Sequence, residues 1–466
     1  MTTLRHTLLA AMLAVAVAGS ALARAADVPT APPSGVLGVT DAQLDPSFWV
    51  ARLPDADKVV LDTRSIAAIN DKIMRLDPSM HDIRHLGATL PRDQVKGWIT
   101  KLTRKPSKAF YDVEGKDVPA TTVDAIMANA AIDAIPANVT PRYGMAVRRS
   151  ALRGYPSDLR VFSHAGDTDI DRFQESTLFP GDPLVVVQMS HDGQWAFVVS
   201  TRYAAWMRAA DIAYGEAQAI FAHVDATPYR VITGAKPQTV YTPEVPALSE
   251  LPLDMGTRVP LDTTLPPDQP VNGQTAYTSW VLSLPLRGND GSLSFHPALL
   301  QRNQDSTADY LPLTRANLIR QAFKFLGERY GWGHAYNGRD CSGFVSDVYR
   351  SVGVQMPRNT GDQAKSPGLD HTLYSDKDSH DARVKAAMAL QPGDLVYIPG
   401  HVMMVIGNID GHPYVIHDVG GMSYRQADGS MRRVKLNAVS VTPLLPMMFN
   451  DTQTFVDRMT SIVRIR

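Results

Sequence analysis

The 466-residue chain holds a single cysteine, Cys341, set in Arg339-Asp340-Cys341-Ser342-Gly343-Phe344. Two histidines follow in apolar surroundings, in Gly400-His401-Val402 and in Val415-Ile416-His417. A thiolate attacks amide carbonyls, an imidazole can take its proton, and a further polar group can hold that imidazole in its working tautomer. Cys341, His401 and His417 can therefore carry acyl transfer through a thioester, as nucleophile, base and orienter. Asp418 is the second choice of orienter, because strand alternation turns its side chain away from the face that carries His417. An isolated cysteine is more often a small buried hydrophobe than a nucleophile. Here the residues around it reverse that preference.

The chemistry needs elements that bring distant positions together. Phe344, Val345, Val348, Tyr349 and Val352 recur at helical spacing as far as Gly353, so Cys341 falls at or just before a helix N-terminus. There the helix dipole favours the thiolate and first-turn amides can face an oxyanion. Asp340 stands where a cap would. Upstream, Thr314 caps a predicted helix bearing Leu318, Ile319, Ala322, Phe323 and Leu326 that ends near Gly331. Downstream, Pro392-Gly393-Asp394 turns into a strand over 395–398, and Pro399-Gly400 turns again before His401 and the apolar run 402–406. A turn over 408–413 then folds the next strand, 414–416, back as an antiparallel hairpin that carries His417 toward His401. The stretch 366–387, rich in Asp, Lys and His, is expected as a loop near the cleft with His371 and His380 in solvent.

Composition bounds the rest. A net charge of -1 with 20% charged residues excludes recognition of nucleic acid or of a membrane surface by bulk charge. Arg5 and His6, an apolar run over 8–18 and the small residues Ala21, Ala23 and Ala25 read as a signal peptide over 1–25, too short to span a bilayer. The chain is thus expected outside the cytoplasm, periplasmic or secreted, with no stable membrane insertion after processing. No Cys/His cluster suggests a metal, and no cofactor is expected. Residues 26–138 read as a linker and a mainly helical domain, with Ile66, Ile69, Ile73 and Leu76 on one face behind a Thr63 cap. Short strands with turn signals suggest one small barrel over 139–215 and a second over 216–311. The remainder, 312–466, holds the candidate chemistry.

Tyr330-x-Trp332-Gly333, Asp340-Cys341-Ser342-Gly343-Phe344, Pro357-Arg358-Asn359-Thr360-x-x-Gln363, Pro392-Gly393-Asp394-Leu395, Gly400-His401-Val402 and Ile416-His417 together resemble the NlpC-type cell-wall cysteine peptidases. The resemblance implies a multidomain α+β chain: a papain-like domain of helices packed on an antiparallel sheet, behind two SH3-like barrels and a helical leader. It implies a triad of Cys341, His401 and His417. The implied reaction is hydrolysis of the amide between γ-D-glutamate and a diamino acid, commonly meso-diaminopimelate, in peptidoglycan stem peptides with a free N-terminal L-alanine. Asp340 and Ser342 match positions that flank the substrate amine in such proteins, and Thr360 stands where they carry a small hydroxyl residue. Tyr203 and Tyr330 are further candidates for the substrate pocket, each of which is also an ordinary core aromatic; Glu175 is an acidic residue the sequence does not place. The competing readings are a cell-wall binding protein with an idle hydrolase domain, and a Cys/His amidase that cuts another peptidoglycan amide.

Overall fold

The computed structural model describes residues 35–466. The expected signal peptide, 1–25, lies outside the described residues.

The run Trp195–Ser200 is buried at every position, which a strand achieves only when both of its faces are covered. It sits in a seven-stranded antiparallel sheet spanning residues 142–214 that curls on itself. Ala196 and Val198 point inward with Leu152, Leu184, Val186, Ala205 and Met207. Trp195, Phe197 and Val199 point outward, where Val95 and Ile99 of the helix Arg92–Leu102 cover them. The helical leader therefore has no core of its own. Its middle part closes the outer face of the barrel. Its first part, with Trp49 and with Ile66 and Ile73 of the helix Thr63–Leu76, joins the core of the C-terminal region. That helix is capped by Asp62, which accepts from Ser65 N at 2.8 Å, so the cap stands one residue before the expected Thr63.

Residues 216–311 open with a helix, Ala217–Asp225, and then form two small sheets rather than one closed barrel. A three-stranded sheet is centred on Tyr229–Ile232, and a nine-residue-per-strand hairpin pairs Ser279–Arg287 with Leu293–Gln301. Ile232, Val259, Leu282, Leu284 and Leu300 share their core.

In the C-terminal region a six-stranded antiparallel sheet carries the helix Cys341–Arg350 on one face. The sheet order runs Asp370–Leu373, Ser461–Arg464, Leu395–Ile398, His401–Ile409, His412–Arg425, Met431–Pro443. All ten residues of the cysteine helix are buried. Its apolar side lies against Val402, Met404, Ile406 and Ile416, while Met403, Val405 and Val415 face a second core on the other side. Thr314 does cap a helix, accepting from Asn317 N at 3.0 Å, but that helix stops at Phe323 instead of near Gly331. The stretch 366–387 is also more ordered than expected. It forms the edge strand Asp370–Leu373 and the helix His380–Met388, and the edge strand stands three places from the strand that begins with His401. His371 is half-buried, its Nδ1 on Leu369 O at 3.0 Å, and His380 pairs with Asp457 at 2.6 Å. No helix among the described residues is long and apolar enough to cross a membrane.

Candidate active site

Asp340 caps the cysteine helix by accepting from Gly343 N at 2.8 Å, which leaves Cys341 as its first residue. First-turn N–H groups have no helical partner and so point free of the helix. Cys341 is 4% exposed, and its Sγ lies 3.9 Å from Gly400 O. Burial above all, then the nearby Asp340 charge, pushes the thiol up to about 12, against the pull of the Val402 and Ser342 N–H groups. The sulfur is thus held by backbone on both sides of His401.

His401 opens its strand after Gly400, whose φ of +77° makes the turn. The pairing Met404↔Ile416 sets the hairpin register, and it brings His401 Nε2 to 2.7 Å from His417 Nδ1. His417 is fully buried, and its Nε2 lies 3.0 Å from Thr442 Oγ1 on the neighbouring strand. A chain of polar groups therefore runs Thr442, His417, His401. With Nε2 engaged, Nδ1 is the nitrogen that His401 has left for a thiol, and among the described residues it has no partner. Burial holds His401 down to about 4 and His417 well below its ordinary value. At neutral pH the resting pair is a neutral thiol and neutral imidazoles, suited to a base that takes the proton as attack proceeds. Asp418 does not join them. It is fully buried, and both of its oxygens lack a hydrogen-bond partner among the described residues.

Asp340 is more heavily occupied than its sequence position suggests. Arg358 meets it through Nη2 at 2.7 Å and Nη1 at 3.1 Å, Gly333 N donates at 2.9 Å and Ser342 Oγ at 3.2 Å. Burial raises the carboxyl, but Arg358 foremost, with His334 and the Gly343 N–H, outweighs it and brings it down to about 2. Asp340 is therefore a carboxylate paired on both oxygens with a guanidinium. Arg358 also donates to Ser342 Oγ at 2.9 Å and, through Nε, to Ser176 Oγ of the barrel at 2.8 Å. It lies in a block quoted from the sequence, yet nothing in its spacing tells that it reaches Asp340.

The barrel supplies another wall. Tyr203 donates to Glu175 Oε2 at 2.7 Å. Burial pushes the Glu175 carboxyl up, while Tyr203 and then Arg358 and Arg153 pull it down. Burial raises the phenols of Tyr203 and Tyr330, that of Tyr203 further through Glu175 and Asp340 and that of Tyr330 further through Cys341 and Asp340. Thr360 begins the short helix Thr360–Gln363 half-buried, and its hydroxyl makes no hydrogen bond among the described residues. The loop that leads into the cysteine helix is fastened to the barrel strand Gln174–Leu178: Trp332 Nε1 donates to Gln174 O at 2.8 Å, and Gln174 Nε2 to Gly333 O at 2.8 Å. Gly333 has φ +58°, and a Cβ there would lie 2.9 Å from Glu175 C, so only glycine allows this approach. Barrel and cysteine helix are thereby one site.

The NlpC/P60 family matches residues 327–440, and the SH3 domain of SH3b1 type matches 160–208. A gamma-D-glutamyl-L-lysine dipeptidyl-peptidase of Bacillus cereus is 29% identical over 220 residues, 44% of this chain and 54% of that protein. The protein of the same name in Bacillus subtilis is 41% identical over 54 residues, 11% of this chain and 18% of its own length. The chain thus spans about half the length of the first of these relatives and less of the second. An NlpC/P60 endopeptidase from Photobacterium damselae subsp. piscicida superposes with a TM-score of 0.71 at 16% identity, covering 89% of this chain and 96% of that one, a likeness of fold. With cysteine helix, hairpin histidines and barrel wall in one arrangement, the chain carries a domain that matches the NlpC/P60 family behind one that matches an SH3 domain of SH3b1 type.

Proposed function

We propose that this chain is a cysteine endopeptidase that cuts the amide between γ-D-glutamate and a diamino acid, commonly meso-diaminopimelate, in stem peptides whose N-terminal L-alanine is free. The observation that carries the reading is the 2.7 Å contact between His401 and His417 beside the cysteine helix, walled by Tyr203 and Glu175 of the barrel. His401 Nδ1 takes the Cys341 proton as sulfur attacks the γ-glutamyl carbonyl, and first-turn amides receive the oxyanion. The C–N bond breaks, His401 returns the proton to the leaving amine, and a thioester remains. Water, deprotonated by His401, then releases the γ-glutamyl acid and restores the thiol. His417, steadied by Thr442, keeps Nε2 of His401 occupied and leaves Nδ1 for the sulfur.

The substrate ammonium needs a carboxylate not already spent. Glu175 fits better than Asp340, because Arg358 neutralises Asp340 while Glu175 has no ion pair among the described residues and is held up by burial. An arriving ammonium favours the ionised form of Glu175, and Tyr203, donating to Oε2, keeps its carboxyl in place. Asp340, Ser342 and Arg358 then form the floor beneath it. The test is to offer purified protein free stem peptides and the same peptides N-acetylated. Much faster cleavage of the free-amine peptides is expected, and equal cleavage of both would remove the amine from the account.

A further inference from the structure

Asp418 has no part in the chemistry above, yet it stands directly after His417. Alternation places it on the face of its strand shared with Tyr414 and Ile416, and those two belong to the core that contains Cys341. The carboxyl is 0% exposed, and neither oxygen has a hydrogen-bond partner among the described residues. A charge buried in this way is costly, and a carboxyl sheds that cost by keeping its proton. Its surroundings add to the effect. Asp340 and Cys341 face it from the cysteine helix, and Glu328, Tyr330 and Arg339 from the segment ahead of that helix. Arg339 has no charge to spare, being paired with Asp347 at 2.6 Å, Asp254 at 2.8 Å and Glu328 at 3.0 Å. His417 lies on the opposite face, engaged with His401.

We propose that Asp418 is a positioning residue of this site, a carboxyl kept neutral against Cys341 so that the thiol can give up its proton, and that ionisation of Asp418 holds the thiolate back in the alkaline range. Burial first, then Asp340 and Glu328, push its carboxyl up to about 9. Once ionised, Asp418 adds a like charge beside the sulfur and disfavours the thiolate, and by reciprocity the thiolate disfavours ionised Asp418. The inference rests on Cys341 as the reacting group, not on which amide is cut.

Because Cys341 is the chain's only cysteine, its alkylation by iodoacetamide reports on this site alone and needs no substrate. Rates would be measured from about pH 6 to 11 for the parent, Asp418→Asn and Asp418→Ala. In the parent the rate should climb over a wider pH range than one ionisation allows, because two groups are coupled. In both variants it should follow a single ionisation displaced downward by about one pH unit. Stability gives a second readout. A raised folded value favours folding below the unfolded value of 3.8 and loses that advantage as pH climbs toward 9, so the variants should gain on the parent through that window. Superimposable alkylation profiles would overturn the proposal. If neither variant folds, a parent profile that fits one ionisation overturns it as well, whether or not the γ-glutamyl reading stands.

Discussion

Replacing Arg358 with methionine keeps most of the side-chain volume and removes the charge. In the parent the guanidinium is 3% exposed and meets Asp340, itself 7% exposed in its side chain, at 2.7 Å. The drop of the Asp340 carboxyl from 3.8 to about 2 corresponds to about 2 kcal/mol at neutral pH, the part of the pairing that shows in protonation. Stranding a buried carboxylate adds its desolvation, so the whole loss should be about 3–5 kcal/mol. Ser176 Oγ and Ser342 Oγ lose a donor in the same step. Followed by calorimetry at neutral pH, the transition of the unit that contains the cysteine helix should fall by about 10 °C. The pH dependence carries its own sign. A depressed carboxyl stabilises above its unfolded value and loses that contribution as pH falls through the folded one. The parent should therefore weaken between pH 3.8 and about 2, and Arg358→Met should lack that decline because its Asp340 is no longer held down. A variant within about 2 °C of the parent at neutral pH, with the acid decline intact, would refute the view of Arg358 as the counter-charge of the site.

Two further outcomes follow from the same geometry. His401 is held down to about 4, so the acid limb of kcat/KM should fall near there and not near the 6.5 of a free imidazole; an acid limb at the ordinary histidine value, read from a pH–rate profile, would contradict the buried neutral base. Glu175→Gln removes the only barrel carboxylate proposed to meet the amine, so kcat/KM for free-amine peptides should drop about 10- to 100-fold while the poor rate on N-acetylated peptides stays put, and an equal drop on both would assign Glu175 a purely structural part.

Much of the site was legible because its determinants are local. The order Asp340, Cys341 and a 3.6-residue apolar repeat fixes a capped helix, and the turn at Gly400 together with the alternation across 401–417 fixes a hairpin that brings the two histidines into contact. What stayed hidden was long-range. Arg358 reaches Asp340 from 18 residues away and Ser176 from 182, and no periodicity records such a pairing. Glu175 gained its place only through the fastening of Gln174 to Gly333. The leader's helix over 63–76 was readable from its apolar face, but which core it would join was not, since an apolar face does not name its partner. The segment 366–387 misled because most of its polar residues are exposed on an edge strand and a surface helix, where charge is compatible with regular structure.

The most direct test of the whole account is mass spectrometry of L-Ala-γ-D-Glu-meso-diaminopimelate incubated with the parent protein and with Cys341→Ala. The parent should release L-Ala-D-Glu and diaminopimelate, and the variant, folded as judged by circular dichroism, should release neither. Cleavage at any other bond, or unchanged release by the variant, would contradict it.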